Sequence, residues 1–414
     1  MPTLAILSIL VTIAALFGWI SSRVLRLPIT IGTMLLTVLT SLTLVGVGRF
    51  APGLHLWAVN LVRQIDFESL ILHGMLPLLL FAGAFLLDLD ELVREKLPVA
   101  LLSVVGTILS VFAVAGLMML LSGTGGPWME CLIFGALISP TDPIAVLEML
   151  RRVGIPKPIE AQLAGESLFN DGVGAVLFIT MIEIARGHAT TPWHVAGLLL
   201  LKAGGATLLT VVAAWVVSRF MFVVHEYQVE ILFALALAIG GYVLADAWHL
   251  SAPLEAVVAG IALRHFIRNE PRGSIDGDRL DAFWTLIDEV LNSVLFVLLG
   301  LEAMVVTINA TTFRAGVAAF LSVNAVRLAV VALCLVAVRV CQNKGSGSIL
   351  TLTWGGLRGG LSIALALSVP EALGRSWIFG ATYIVVVLSI ILQGGSMDWM
   401  LSRRKRKQAA AVRT

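Results

Sequence analysis

Gly165 to Gly174 reads GESLFNDGVG and lies inside an apolar run from about Ile159 to Ile184. That short stretch holds two carboxylates, Glu166 and Asp171, an amide, Asn170, and a hydroxyl, Ser167. A run of this length suits a helix crossing hydrocarbon, where each charged group costs about 2.5 to 3.5 kcal/mol even on the gentlest insertion scale. Packing alone is no reason to keep four polar groups there. On a helix Glu166 and Asn170 share one face, and Ser167 and Asp171 share another about 100° round. One stripe suits an internal ion pair, the other a proton or a small cation.

The surrounding chain has the same character. Of its 414 residues 58% are hydrophobic and 13% charged, with mean hydropathy +0.97; an ordinary soluble domain has about a quarter charged. The apolar runs are helix-length, not the roughly 10-residue alternating strands of a membrane barrel. Thirteen candidate spans centre near Ile13, Leu39, Leu78, Thr107, Ala136, Asp171, Leu209, Leu237, Val258, Val294, Val326, Leu361 and Val387, the ninth being short and containing Glu255. Leu4 to Val24 has neither a basic lead-in nor a small-residue cleavage site, so it is expected to be a retained helix. With the N-terminus outside, 20 of the 28 lysines and arginines fall on the inner side and 5 on the outer. That bias places the basic tail SRRKRKQ in the cytoplasm as a headgroup anchor, with no nucleic-acid role. Cys131, Cys334 and Cys341 have no paired spacing, which indicates no disulfide framework or metal cluster.

Two spans are interrupted. Ser139 to Pro143 reads SPTDP; its prolines remove two backbone donors and disfavour helix in the residues before them. Thr353 to Ser362 reads TWGGLRGGLS, with four glycines around Arg358. Irregular backbone at bilayer depth survives where it lines a cavity or packs in protein, and paired broken helices mark inverted-repeat transporters. Thr141 and Asp142 are therefore site candidates. A kink in which Asp142 only caps the second half-helix explains less, because a cap needs no buried carboxylate.

Arg327 stands alone in an apolar span and must find a carboxylate among Asp142, Glu166, Asp171, Glu255, Glu289 and Glu302. Lys202, near a span end, is expected to reach water along its own stem. Asp288 and Asn292 share a face; they are either a funnel lining or partners in interhelical hydrogen bonds, with the second preferred, and Asp246, Glu255 and Glu289 are equally ambiguous.

GALISPTDPIAV, GESLFNDGV, FWTLIDEVLNSVLFVLLGLE, VNAVRL and TWGGLRGGLSIALALSVP, in this order over most of the chain, resemble the monovalent cation/proton antiporters, most closely the electroneutral sodium/proton exchanger branch. The resemblance implies an all-α membrane protein of about 13 transmembrane helices, with inverted repeats and two crossing broken helices. It implies a homodimer in the cell membrane whose core moves like an elevator. Dimerisation-domain helices fall at 1–90 and 228–306, core-domain helices at 97–190 and 312–400, a linking helix at 193–226 and the cytoplasmic tail at 401–414. By the same resemblance Asp171 carries cation or proton, and Asn170 replaces the second aspartate of the electrogenic branch. Asp142, Thr141 and Ser167 are further ligands or neighbours, Glu166 and Arg327 a structural pair, and Arg358 the charge of the second break. Two departures stand out: FAGAF puts Ala82 where some relatives have an acidic residue, and Glu255 has no counterpart in the family pattern.

These residues fit exchange of sodium, and of lithium, for protons. Sodium prefers oxygen ligands, and an aspartate that binds cation or proton but never both produces antiport without ATP, for which no GxxxxGK[ST] is present. One carboxylate fewer at Asn170 favours one proton per cation. Potassium/proton exchange on the same scaffold is the alternative, a channel or uniporter a weaker one. An intramembrane hydrolase lacks GxSxG, HExxH and a placed histidine, so no enzyme activity and no cofactor are expected, nor any metal beyond the transported ion.

Overall fold

The apolar runs become helices, and the two interruptions become breaks. The computed structural model describes residues 3–48, 50–121, 127–187, 191–224, 226–269, 277–306, 309–342, 349–397 and 400. The basic tail at 401–414 lies outside them, as do Arg49, Arg272 and Lys344.

In chain order the helices are α1 (Leu4–Leu25), α2 (Ile29–Val47), α3 (Phe67–Phe85), α4 (Lys96–Leu121), α5 (Trp128–Ile138), α6 (Ile144–Val153) and α7 (Lys157–Ala185). They continue as α8 (Gly197–Met221), α9 (Tyr227–Ala247), α10 (Ala252–Arg268), α11 (Gly277–Met304), α12 (Ala310–Val340), α13 (Ile349–Trp354), α14 (Gly360–Leu367) and α15 (Arg375–Met397). Short surface helices, Pro52–Arg63 and Leu89–Arg94, join α2 to α3 and α3 to α4. Among the described residues there is no strand, and ten helices are long and apolar enough to cross a membrane. The remaining spans expected from sequence are the interrupted pairs α5–α6 and α13–α14 and the short α10, whose 17 residues start from the Ser251 cap and Pro253. This is an all-α polytopic membrane fold.

The helices pack in two groups. In one, α3 lies against α10, α2 against α11 and α9 against α10; in the other, α4 lies against α5 and α12, α12 against α15, and α7 against α5. Helix α8 packs on α9 and α10, and α7 touches α10 across the groups. Close approach needs missing side chains. A Cβ on Gly260 of α10 would stand 2.6 Å from the Phe81 carbonyl oxygen and 2.9 Å from the Phe85 nitrogen of α3.

At one end of the bundle the basic segments meet acidic partners. Arg264 holds Asp281 through two hydrogen bonds of 2.6 and 2.9 Å, Lys157 lies 4.0 Å from Asp88, and Arg268 pairs with Asp90. The Arg268 guanidinium, hydrogen-bonded to Asp90, holds that carboxyl below its ordinary range. Exposed pairs of this kind add little stability, but they show that these loops share one face. At the opposite end Trp377 donates to Glu130 at 2.6 Å. Lys202 departs from expectation: instead of reaching water it is buried at 7% exposure and pairs with Glu183 at 2.8 Å.

Because backbone, not a flexible side chain, blocks any Cβ at residue 260, Gly260→Val is expected to lower stability by about 1 to 3 kcal/mol. Gly240→Ala, where the added atom meets nothing within 4 Å, should leave it near wild type. Thermal unfolding of the detergent-purified protein checks both, and equal melting would contradict the α3–α10 packing.

Candidate functional site

The two interrupted helices cross antiparallel at the bundle centre. The Asp142 N–H donates to the Leu357 carbonyl at 2.8 Å, forming an isolated β-bridge between the unwound segments. Arg358 answers from the other side, donating through Nη1 to the Ser139 carbonyl and, at 2.9 Å, to the Pro140 carbonyl. These acceptors are the free carbonyls left where α5 stops, so a cation sits at the negative end of that half-helix. The backbone N–H of Arg358 donates to Ser389 Oγ at 3.2 Å. Ser389 donates to Gln393, and Gln393 donates to Asn324 at 2.6 Å, tying the second break to α15 and α12.

Sequence spacing gives Glu166 and Asp171 different faces, and the fold uses them differently. Arg327 meets Glu166 in a two-point pair, Nη1 to Oε1 and Nη2 to Oε2, the second at 2.9 Å, and also donates to the Leu352 carbonyl at 3.1 Å. Gly356 makes room for it, since a Cβ there would lie 2.8 Å from Arg327 Nε. Of the six carboxylates open to Arg327, the fold brings Glu166 of α7 to it.

Thr141 is held from α7 on three sides. Ser167 Oγ donates to its carbonyl, its N–H donates to Asn170 Oδ1 at 3.2 Å, and Asn170 Nδ2 donates to its hydroxyl at 2.8 Å. Asn170 is thus buried and occupied as a clamp, whereas Thr141, Asp142, Ser167 and Asp171 line a cavity of about 1070 Å³. One Asp142 oxygen does cap, accepting from Ile144 N–H at 3.0 Å, so the role that weighed less in the sequence is present alongside the cavity-facing one. Among the described residues the Asp171 carboxylate takes no hydrogen bond; Asp142 and Arg358 are the charges near it.

The cavity runs from this floor past Asp288, Glu289, Asn292 and Ser293 to Glu148, Arg151 and Ser22, at the end where the basic loops gather. Asp288 and Asn292 line the funnel; the 3.0 Å hydrogen bond they share lies within α11 and is not the interhelical contact preferred from sequence. At the other end α14 packs on Phe67–Met75 of α3, which are absent from the lining. Ala82 is fully buried in an apolar cluster with Ala214, Ala238 and Ala259 and does not line the cavity. No group of three or more His, Cys, Asp or Glu among the described residues is arranged to hold a resident metal ion.

Chemically, the floor offers oxygens only. A hydroxyl that donates to a carbonyl keeps its lone pairs outward, so Ser167 Oγ can still face a cation beside Asp171.

The family model described as sodium/hydrogen exchanger, transmembrane, matches residues 11–403. The Na(+)/H(+) antiporter NhaP of Pseudomonas aeruginosa is 39% identical over 406 residues, covering 95% of each chain. The Na(+)/H(+) antiporter NhaH of Halobacillus dabanensis is 30% identical over 342 residues, covering 81% of this chain and 83% of the other. Among solved structures, the sodium proton antiporter MjNhaP1 of Methanocaldococcus jannaschii at pH 8 matches with a TM-score of 0.68 over 97% of this chain and 99% of that one; at 18% identity it speaks for the fold alone.

Arg327→Met leaves Glu166 buried without a partner and should cost about 3 to 5 kcal/mol, while Glu166→Leu combined with Arg327→Met should recover most of it. Melting temperatures of the single and double variants decide. A double variant as unstable as the single one would show that lost packing, not an unpaired charge, is the cause.

Proposed function

The chain belongs to the sodium/hydrogen exchanger family, and from that premise we propose that it exchanges sodium for protons across the cell membrane, one for one, with Asp171 carrying either ion in turn. The observation that carries this reading is the Asp171 carboxylate, placed on the floor of a large cavity with no hydrogen bond from any of the described residues. It is available to a proton or to a cation, and one negative charge satisfies only one of them.

Thr141, Asp142 and Ser167 supply the further oxygens a sodium ion needs on leaving water. Asn170 contributes by holding the Thr141 backbone and hydroxyl and adds no charge of its own. With one carboxylate exchanging ions, the loaded and protonated forms bear the same charge, and the membrane potential, worth about 2.3 kcal/mol per charge per 100 mV, drops out of the cycle.

The basic rim and the lysine and arginine bias support a cytoplasmic open end. The described state is then inward-facing, with α14 on α3 closing the outer side. Transport follows when the group containing α4–α7 and α12–α15 moves against the group containing α1–α3 and α9–α11. Helix α8 joins them, and the whole is a homodimer. A cavity closed at one end suits this alternation better than a continuous pore.

Proteoliposomes with a trapped pH dye test the reading. External sodium or lithium should move protons equally with and without a valinomycin clamp, and Asp171→Asn should abolish the signal. Cation movement without proton countermovement would overturn the assignment, and a response to potassium alone would change the substrate. Because a proton competes for the same carboxylate, the sodium KM should rise as pH falls, approaching about tenfold per pH unit once Asp171 is mostly protonated. A KM independent of pH would be incompatible with a shared site.

A further inference from the structure

Glu255 is the buried acid that the exchange site does not use. It sits in the first turn of α10 at 0% exposure. Among the described residues neither of its oxygens has a hydrogen-bond partner. The helix start does not claim it, for its own N–H runs to the Ser251 carbonyl at 2.9 Å and the Ser251 side chain takes the Leu254 N–H.

Each neighbouring helix presents something neutral or already engaged. From α9 comes Gly241, where any Cβ would overlap the Glu255 carboxyl, so the helix face is cut away to admit it. From α8 comes Thr210, a neutral hydroxyl beside the carboxyl that is already hydrogen-bonded to the Ala206 carbonyl at 2.7 Å. Lys202, further along α8, is committed to Glu183 at 2.8 Å. Tyr242 of α9 donates to the Leu72 carbonyl of α3 at 2.8 Å. The charge beyond it is another carboxylate, Asp246, near the C-terminal end of α9. Among the described residues no cation faces Glu255.

A carboxylate buried in this way, without donor or counter-charge, is disfavoured against the neutral acid, whose O–H can donate to Thr210. We propose that Glu255 is a second proton-binding site, separate from the exchange cavity, which holds a proton through the transport cycle and shuts transport down when alkaline conditions remove it.

The coupling runs through the adjacent residue. Leu254 packs on Gly172, next to Asp171, with a hypothetical Gly172 Cβ only 3.2 Å from Leu254 Cδ1. Glu255 therefore lies about level with the cavity floor, one helix away. Ionised, it must draw in water or push α8 and α9 off α10, and either shifts Leu254 against the carrier helix.

A hydrophobic carbodiimide reads the site directly, because only a protonated carboxyl adds across its C=N bond. The acyl oxygen bonds to carbon, the acid proton passes to nitrogen, and the product rearranges to a stable N-acylurea without losing an atom. Peptide mass spectrometry of wild type treated with dicyclohexylcarbodiimide at transport-active pH should find an adduct on Glu255 that saturating sodium does not suppress. The same sodium should protect Asp171. No adduct on Glu255, or one that sodium removes, would overturn the proposal.

The second arm is the pH profile of Glu255→Gln, which is permanently neutral at this position. Above the alkaline limit the wild-type rate should fall by about tenfold per pH unit, the slope of one ionisation, while the variant keeps its rate; superimposed profiles would overturn the switch. This arm rests on the exchange reading and the labelling does not. Protein that labels at Glu255 but moves no protons at any pH would leave the proton site standing and remove exchange.

Discussion

Inside hydrocarbon no water is at hand to satisfy a backbone N–H or carbonyl, and each one left alone costs several kcal/mol. Two broken helices at that depth are tolerable only if each supplies what the other lacks. Here the Leu357 carbonyl receives Asp142 N–H, and Arg358 covers the carbonyls of Ser139 and Pro140. The site is a by-product of that exchange. Once the two breaks satisfy one another, Thr141 and Asp142 line the cavity floor together with Asp171.

Helix α7 divides its polar residues by duty. Glu166 is spent on Arg327, and Asn170 on Thr141, so neither is free to follow an ion. Among the described residues Asp171 takes no side-chain hydrogen bond, and Ser167 lines the same cavity. The paired Glu166 and the unpaired Asp171 are thus set within 6 residues of each other, and the pitch of the helix keeps them on different sides.

The sequence made the breaks legible because proline and glycine act on their own backbone, needing no knowledge of neighbours. The length of the apolar runs did the rest, and all thirteen expected span centres fall within described helices. What stayed closed depended on which helices meet. Arg327 had six possible acids, and only the fold brings Glu166 to it. Spacing put Asn170 on the face of Glu166, but its partner Thr141, 29 residues earlier, was not visible from it. Asp288 and Asn292 lay on a plain helix, where a shared face fits either a funnel wall or an interhelical contact. Lys202 had Glu183 waiting on a neighbouring helix, which no rule about long stems reveals. Ala82 was a departure from a family pattern; its burial among alanines of α8, α9 and α10 belongs to packing alone.

The crossing contains three glycines fitted to individual partners: Gly174 to Pro140, Gly356 to Arg327 and Gly359 to Asp142. In each pair the partner already fills the volume a side chain would take. Neither member can therefore drift independently. A larger residue at 174, 356 or 359 becomes tolerable only after the opposing group has shrunk, and the intermediate with the smaller partner has lost a proline break, a buried counter-charge or a site carboxylate. The historical order of substitutions across this crossing is thereby constrained to steps that pass through a non-working protein or are taken together. Such epistasis isolates the site in sequence space much as the bilayer isolates it from water.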